Sequence, residues 1–326
     1  MALISMQTSP WYDVKNTDSE YLDKTFKMVR DAGIEAIDFN FDFFLNVKIF
    51  NDHSLSEVDG FFEKPEDELI EFFRPVKEAA EKNTLAFSQA HAPFPVAVYG
   101  EEEKNDYMVM VTEKCLAISK FLGCPALVIH PPKDEDKDIQ HELILDFYRK
   151  LMPAGKKTGV KICLENLFQR YKATVREGAC TDSSDACYYV DLLNKEAGED
   201  IFGFCFDLGH ATVTGRNPYR YIKQLGDRLT LLHIHESDGT HDNHQLPFTQ
   251  IFDEKGELCC DWDGFIQGLK EIGYKGNISF ECSRGIKIMP KAVWPEVFSL
   301  IAAVGRYICA SIEEQSGSAA APAARR

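Results

Sequence analysis

Apolar runs with the two-residue period of β-strands alternate along the chain with longer stretches in which apolar residues recur at helical spacing. Eight runs predict strands: Ala2–Met6, Glu35–Phe41, Leu85–His91, Ala126–His130, Lys161–Leu167, Phe202–Asp207, Leu229–His235 and Asn277–Cys282. Five amphipathic stretches predict helices: Glu66–Lys82, Asp106–Leu122, Glu142–Thr158, Trp262–Ile272 and Lys291–Ile312. The repeating unit of the chain is therefore a strand followed by a helix.

Eight such units predict the α/β class and a single (β/α)8 TIM barrel, in which eight parallel strands are surrounded by outer helices. A doubly wound sheet is the alternative, and the lack of a G-x-G-x-x-G motif after the first strand disfavours it. No linker is rich enough in Pro, Gly or Ser to mark a domain boundary. We expect one barrel over residues 1–312, followed by a disordered or artificial tail over residues 313–326, which contains SGSAAAPAARR.

The composition limits the possible binding partners of the protein and indicates its cellular compartment. The 326 residues include 36 basic and 52 acidic side chains, a formal net charge of -16. An acidic surface repels phosphate backbones, so no nucleic-acid partner is expected. The ten cysteines form no C-x-x-C pair, which predicts buried free thiols and a cytoplasmic protein. No run reaches about 18 apolar residues, so no membrane partner is expected.

The candidate chemistry lies at one end of the predicted strands. His, Asp or Glu occurs at or just after the carboxyl end of six successive strands, at His91, His130, Glu165, Asp207, His210, His233, His235 and Glu281. In a TIM barrel the active site is built at this end. Because side chains alternate along a strand, His233 and His235 share one face, as do Cys205 and Asp207.

Bringing Glu165, Asp207 and Glu281 into one partly buried cavity is unfavourable unless a cation neutralises them. Imidazole and carboxylate ligands suit Mn²⁺, Zn²⁺, Co²⁺ or Fe²⁺ better than Ca²⁺. The sequence therefore predicts a divalent-metal site. The loop after the seventh strand adds Asp242 and His244, either as ligands that close over the site or as part of a solvated acidic loop.

Four motifs, LEN, FDLGH, HIHESD with DNH downstream, and FE, resemble those of the xylose-isomerase-like TIM-barrel superfamily. It includes sugar isomerases, ketose 3-epimerases, inosose dehydratases and endonuclease IV, and the resemblance covers about Met1 to Ile312. Similarity to the ketose 3-epimerases implies one metal held by Glu165, Asp207, His235 and Glu281, with His210 contacting the substrate. The chain departs from those epimerases at Tyr171, where they carry Glu, and at His241, where they carry Arg.

The chain also resembles endonuclease IV, which binds three zinc ions through nine ligands. The matching residues are His91, His130, Glu165, Asp207, His210, His235, Asp242, His244 and Glu281. This second resemblance implies that His91, His130, His210, Asp242 and His244 serve as additional ligands of metal or substrate.

The resemblance and the residues together lead to one expected function. It is a metal-dependent isomerase or epimerase of a sugar or sugar phosphate, with Mn²⁺ preferred over Zn²⁺ or Co²⁺, as a monomer or a homo-oligomer. The reaction would pass through a metal-stabilised enediolate, with Glu165 and Glu281 as the acid/base pair and His210 orienting the substrate. The alternatives are an endonuclease IV-like multinuclear zinc phosphoesterase and a metal-dependent lyase or dehydratase of a sugar-like substrate.

Overall fold

A computed structural model describes residues 2–14, 16–45, 55–58 and 60–314. Within these ranges the strands are β1 Ile4–Gln7, β2 Ala36–Asn40, β3 Ala86–His91, β4 Ala126–Ile129, β5 Lys161–Glu165, β6 Phe168–Tyr171, β7 Thr174–Glu177, β8 Phe202–Asp207, β9 Leu229–His233 and β10 Ile278–Phe280. The α-helices are α1 Ser19–Asp31, α2 Glu66–Lys82, α3 Glu102–Leu122, α4 Lys137–Thr158, α5 Ser183–Ala197, α6 Leu208–Val213, α7 Pro218–Leu225, α8 Trp262–Ile272, α9 Ser283–Lys287 and α10 Trp294–Glu313. Short 3-10 turns occur at Asp42–Phe44, Leu55–Glu57, Phe61–Glu63, Gly226–Arg228 and Lys291–Val293.

Eight of these strands form one parallel barrel in the order β10-β1-β2-β3-β4-β5-β8-β9. The two ends of this order, β9 and β10, meet where Ile234, directly after β9, pairs with Phe280. The backbone N–H of Ile234 donates to Ser279 at 3.0 Å, and that of Glu281 donates to Ile234 at 3.0 Å. These bonds close the ring, so the predicted (β/α)8 barrel is confirmed. The two remaining strands, β6 and β7, form a separate antiparallel hairpin.

Two apolar layers lie on opposite sides of the barrel wall. The inner cluster, which plugs the barrel, consists of Ala126, Val128, Cys163, Cys205 and Leu231. The larger outer cluster contains Phe204, Phe206, Leu232 and Ile234, which pack with the helices. The side-chain alternation predicted for β8 and β9 is therefore confirmed, and the polar residues near the carboxyl ends of these strands face the axis.

Aspartate N-caps and glycine C-caps determine where several helices begin and end. At α4, the Asp136 carboxylate accepts the N–H groups of Asp138 and Ile139, and Gly159 ends the helix in the left-handed conformation. This cap makes α4 begin five residues before the predicted Glu142. No bounds were predicted for the helices α1, α5, α6, α7 and α9, and the hairpin β6–β7 was not predicted. The hairpin lacks an apolar period because most of its side chains are exposed.

The C-terminal helix illustrates how composition alone can mislead. Residues Lys291–Glu313 are long and apolar enough to cross a membrane, a test that core helices of globular proteins also pass. Here Val297, Phe298, Ile301 and Ile308 are buried, and the helix contacts β1, β10, α1 and α8. It is therefore an ordinary outer helix of the barrel. Most of the predicted tail, residues 315–326, lies outside the described residues.

The ten cysteines are all unpaired, as predicted from their spacing. Seven of them are buried, whereas Cys187, Cys259 and Cys309 are partly exposed. Burial therefore holds for most of the thiols but not for these three.

Gly305 of α10 packs against the seam between β1 and β10. A Cβ at this position would lie 2.8 Å from Cγ2 of Ile4 and 3.1 Å from Cε2 of Phe280. Gly305→Leu should lower the free energy of unfolding by about 3 kcal/mol, because the added atoms overpack the seam. Ala303→Leu adds the same side chain at an exposed position of the same helix and should change it little. Equal stability of the two variants in urea unfolding would contradict this account.

Candidate metal centre and active site

The centre begins where β5 and β8 end side by side. Asn166, directly after β5, donates from Nδ2 to the carbonyl of Asp207 at 2.9 Å and accepts the Asp207 N–H at 2.8 Å. This reciprocal pair fixes the two strand ends relative to each other. It holds Glu165 and Asp207, which expose no surface to solvent, at the same level of the barrel.

Asp207 also begins the next helix. Its Oδ1 accepts the His210 N–H at 2.5 Å and caps α6, where the positive end of the helix dipole favours a carboxylate. The turn brings His210 Nδ1 to 3.7 Å from both Glu165 Oε1 and Asp207 Oδ1. Gly209 is required between them, because a Cβ there would overlap the ring of His235.

A buried carboxylate anchors the long loop after β9. Glu236 accepts the N–H groups of Phe248 at 3.0 Å and Cys260 at 3.1 Å, together with the indole N–H of Trp262 at 2.8 Å. Its backbone pairs with that of Gln245 in both directions at 3.0 Å. The loop between residues 236 and 245 is thereby folded back over the end of the barrel.

Folding the loop back delivers the Asp-x-His pair to the centre. Asp242 Oδ2 lies 3.1 Å from His244 Nε2 and 3.6 Å from His210 Nε2. Asp242 Oδ1 lies 3.5 Å from His235 Nε2. The structure therefore places Asp242 and His244 at the site rather than in a solvated loop, the alternative that the sequence left open.

Strands β3 and β4 supply the opposite wall. Nε2 of His91 and Nε2 of His130 face each other at 3.2 Å, and they lie 3.7 Å and 3.1 Å from Glu165 Oε2. The ring of Phe94 stacks on His130 with centroids 4.2 Å apart and covers this side. Three atoms of different side chains thus converge on one point.

All nine residues suggested by the endonuclease IV resemblance therefore meet at one end of the barrel. Together with Cys205 and His233, they form overlapping groups whose ligand atoms are close enough together to hold an ion: His91, His130 and Glu165; Glu165, Cys205 and His233; Glu165, Asp207, His233 and Glu281; Asp207, His210 and His235; and His235, Asp242 and His244. Glu165 belongs to three of these groups, and Asp207 and His235 each belong to two, so these three residues link the groups.

Four of the histidines share one hydrogen-bonding pattern. The Nδ1 atoms of His91, His210, His235 and His244 lie 2.8, 2.9, 3.2 and 2.9 Å from backbone carbonyl oxygens. A carbonyl only accepts, so each Nδ1 carries the proton and each Nε2 is turned towards the centre. Metal-binding histidines are held in the same way, with the second nitrogen donating to a carbonyl or carboxylate.

The facing atoms lack hydrogen-bond partners although they are close together. Glu165 Oε2, Asp207 Oδ2, His235 Nε2 and Asp242 Oδ1 are buried and form no hydrogen bond within the described part of the chain, yet His235 Nε2 is 3.2 Å from Asp207 Oδ2. Ligand atoms about 2.1 Å from a tetrahedral ion lie about 3.4 Å apart. The donor set therefore fits a divalent metal, in agreement with the expectation from sequence.

His233 is a residue that the sequence analysis placed on the inner face but did not assign. Its Nδ1 lies 3.0 Å from Glu165 Oε1 and 3.2 Å from Glu281 Oε2, and its Nε2 lies 3.2 Å from Asp38 Oδ2. Gln89 Nε2 donates to the same Asp38 oxygen at 3.0 Å. His233 thus contacts carboxylates on both sides, unlike His235, and it supports Glu165 and Glu281 from below. The H-x-H motif formed by His233 and His235 was the signal in the sequence that could have identified His233 as part of the site.

The electrostatics of the centre favour positive charge. Burial opposes ionisation of Glu165, yet His233 and His130 hold its pKa well below the usual range. Burial also opposes protonation of His210, but Asp207 and Asp242 raise its pKa to about 10. In the same way Glu281 and Asp242 outweigh burial and raise the pKa of His244 to about 9. A bound divalent cation would supply the same compensating charge.

Comparison with known proteins agrees with this geometry. The sequence model of the family described as xylose isomerase-like TIM barrel matches residues 26–304. The chain belongs to this family. The family resemblance inferred from the strand-end motifs is thereby confirmed.

The relatives of this family member are distant. The chain is 25% identical over 244 residues to inosose isomerase of Bacillus velezensis, covering 72% of this chain and 73% of that protein. It resembles a solved structure of L-ribulose 3-epimerase with a TM-score of 0.65 and 15% identity, covering 96% and 95% of the two chains. A solved structure of IolI protein with a bound zinc atom has a TM-score of 0.61 and 18% identity to this chain. The match covers 95% of this chain and 97% of that one. At these identities the structures show the fold alone.

Gly209→Ala tests whether the close packing of α6 on His235 positions the ligand. The added methyl group should displace the His235 ring and lower the bound metal per chain, while the circular dichroism of the barrel is retained. Thr212 lies on the same helix, but its hydroxyl donates to Leu208 and contacts Cys260, so Thr212→Ala should keep the metal. Metal content measured by plasma mass spectrometry distinguishes the two. Full occupancy in Gly209→Ala would contradict the positioning role.

Proposed function

We propose that this barrel is a divalent-metal-dependent isomerase or epimerase of a sugar or sugar phosphate, acting in the cytoplasm with Mn²⁺ as the preferred ion. The observation that carries the proposal is the convergence of Glu165 and Asp207 on imidazoles whose other nitrogens face backbone carbonyls. Both carboxylates are fully buried, and one oxygen of each forms no hydrogen bond with the described residues. The names of the relatives, an inosose isomerase and an L-ribulose 3-epimerase, support the same reaction class.

Glu165, Asp207, His235 and Glu281 would hold the metal, which supplies Lewis acidity to vicinal oxygens of the substrate. The chain itself provides the proton transfer. Glu165 is held ionised by its surroundings, so it can accept a proton from the carbon next to the substrate carbonyl.

Glu281 is the proposed partner of Glu165 in the acid/base pair. Gln7 Nε2 donates to Glu281 Oε1 at 2.7 Å, and His233 Nδ1 lies 3.2 Å from the other oxygen. Unlike Glu165, the Glu281 side chain keeps 13% exposure. It therefore faces the open end of the barrel, where it can return a proton to the opposite face of an enediolate.

His210 would orient the substrate. Its Nδ1 faces the carbonyl of Asn166, and its ring packs edge-on against Phe168 with centroids 5.2 Å apart. These two contacts fix the ring, so Nε2 can bind a substrate oxygen at a defined position. Orientation of this kind contributes to the rate without a change in charge.

Glu165→Gln tests the assignment of the base. The amide cannot accept the proton, so the exchange of substrate hydrogen with deuterium oxide should fall by at least about a hundredfold, while the fold survives. Exchange is followed by nuclear magnetic resonance over a panel of ketoses and ketose phosphates, so the product need not be known. Glu177→Gln, at an exposed residue paired with Arg216, is the matched control. Normal exchange in Glu165→Gln would refute the role, and no exchange by the unaltered protein would refute the function.

A second candidate function is favoured by one observation. The groups His91–His130–Glu165 and His235–Asp242–His244 are separate places for ions beside the central one. Two or three ions held by these residues would supply the Lewis acidity and the activated water that hydrolysis of a phosphoester needs.

The number of ions per chain separates the two candidates. For the isomerase we expect about one Mn²⁺ or Co²⁺ per chain, and His91→Ala should leave this number unchanged. Two or three Zn²⁺ per chain, a loss of one ion in His91→Ala, and hydrolysis of a phosphoester would establish the second candidate instead. Elemental analysis of the purified protein and of the variant provides the measurement.

A further inference from the structure

The loop after β4 carries a cation to the edge of the metal centre. Pro131 and Pro132 are buried, and each proline restricts its backbone to a φ of about -65°. They lead from His130 directly to Lys133. The Lys133 ammonium lies 5.6 Å from the centre of the Phe168 ring, so it is held over the hairpin β6–β7.

The hairpin adds a second cation over the same ring. The guanidinium carbon of Arg170 lies 5.7 Å from the centre of Phe168, and its Nη2 donates to the carbonyl of Thr240 at 2.9 Å. Phe168 in turn packs against His210. Two positive groups, from different loops, are therefore held on an aromatic ring that borders a candidate metal ligand.

Lys133, which is exposed, differs from those lysines of this acidic protein that form ion pairs. Lys150 and Lys223 pair directly with carboxylates, at 3.0 Å from Asp146 and 2.9 Å from Glu271. Among the described residues no carboxylate pairs with Lys133 in this way. Desolvation lowers its pKa, although the more distant charges of Glu165 and Asp242 oppose this shift. An anion of the substrate would give this ammonium the partner that it lacks.

We propose that Lys133 and Arg170 form an anion subsite at the open end of the barrel, which binds the phosphate monoester or carboxylate of a sugar derivative. The inference rests on the proposed function and narrows its substrate class to anionic sugars. An ammonium acts as a point charge and a guanidinium as a planar donor, and both suit phosphate and carboxylate oxygens. Their charge would also offset the repulsion between such an anion and the carboxylates of the centre.

The test uses the full chain loaded with Mn²⁺ and three unreactive probes. They are a linear hexitol, its terminal phosphate monoester, and the aldonate of the same configuration. Isothermal titration calorimetry should show at least one anionic probe binding about tenfold more tightly than the hexitol. Lys133→Gln and Arg170→Gln should reduce this preference and keep both the hexitol affinity and the Mn²⁺ content. The anionic probe that binds more tightly shows whether the subsite takes a phosphate monoester or a carboxylate.

Lys172→Gln is the matched control. It removes the same charge from the same hairpin, where Lys172 lies over Tyr171 and not over Phe168, and it should retain the preference. Equal binding of all three probes by the unaltered protein would overturn the subsite. So would a preference that persists in the Lys133→Gln, Arg170→Gln double variant, because the metal would then bind the anion alone. Failure of the Mn²⁺-loaded protein to bind even the hexitol would contradict the proposed function as well.

Discussion

The constraint on which the site depends is the burial of two carboxylates at one end of the barrel. Glu165 and Asp207 have no exposed surface, and isolated buried charges of this kind are strongly unfavourable. The chain offsets them with a shell of histidines, most of whose Nδ1 atoms are bound by backbone carbonyls. Because those carbonyls belong to strand ends and adjoining loops, the orientation of each imidazole is determined by the barrel itself.

The rest of the barrel supports this shell from below. Asp38 lies beneath His233 and accepts a hydrogen bond from Gln89, and the apolar inner cluster fills the space further down. The polar layer is therefore sealed at its base, and the carboxylates are approached from one end. Glu236 has a similar part in the loop after β9. Three N–H groups donate to its buried carboxylate, and these hydrogen bonds anchor the loop that carries Asp242 and His244.

The loops around the centre carry several side chains that bear on the choice of substrate. A fold of this kind hosts many reactions, so the substrate must be read from the loops. Tyr171 and His241 differ from the ketose 3-epimerases, and both lie at exposed positions near the hairpin and the loop after β9. The same region carries Lys133 and Arg170, the two cations of the proposed anion subsite.

The sequence by itself determined the barrel and the set of side chains at its active end. Strand–helix alternation is a local pattern, and parallel strands must bring their carboxyl ends to one edge, so Glu165, Asp207 and Glu281 could be placed together without a structure. Only the tertiary structure decided the contacts of His233 and His235, because period-two alternation puts both on one face and cannot tell which contacts Asp38. The short helix after Asp207 and the exposed hairpin β6–β7 also escaped prediction, since a cap and a set of loop contacts leave no apolar period. The place of Lys133 beside Phe168 depends on two loops that are distant in sequence, and such a contact exists only once the barrel has closed.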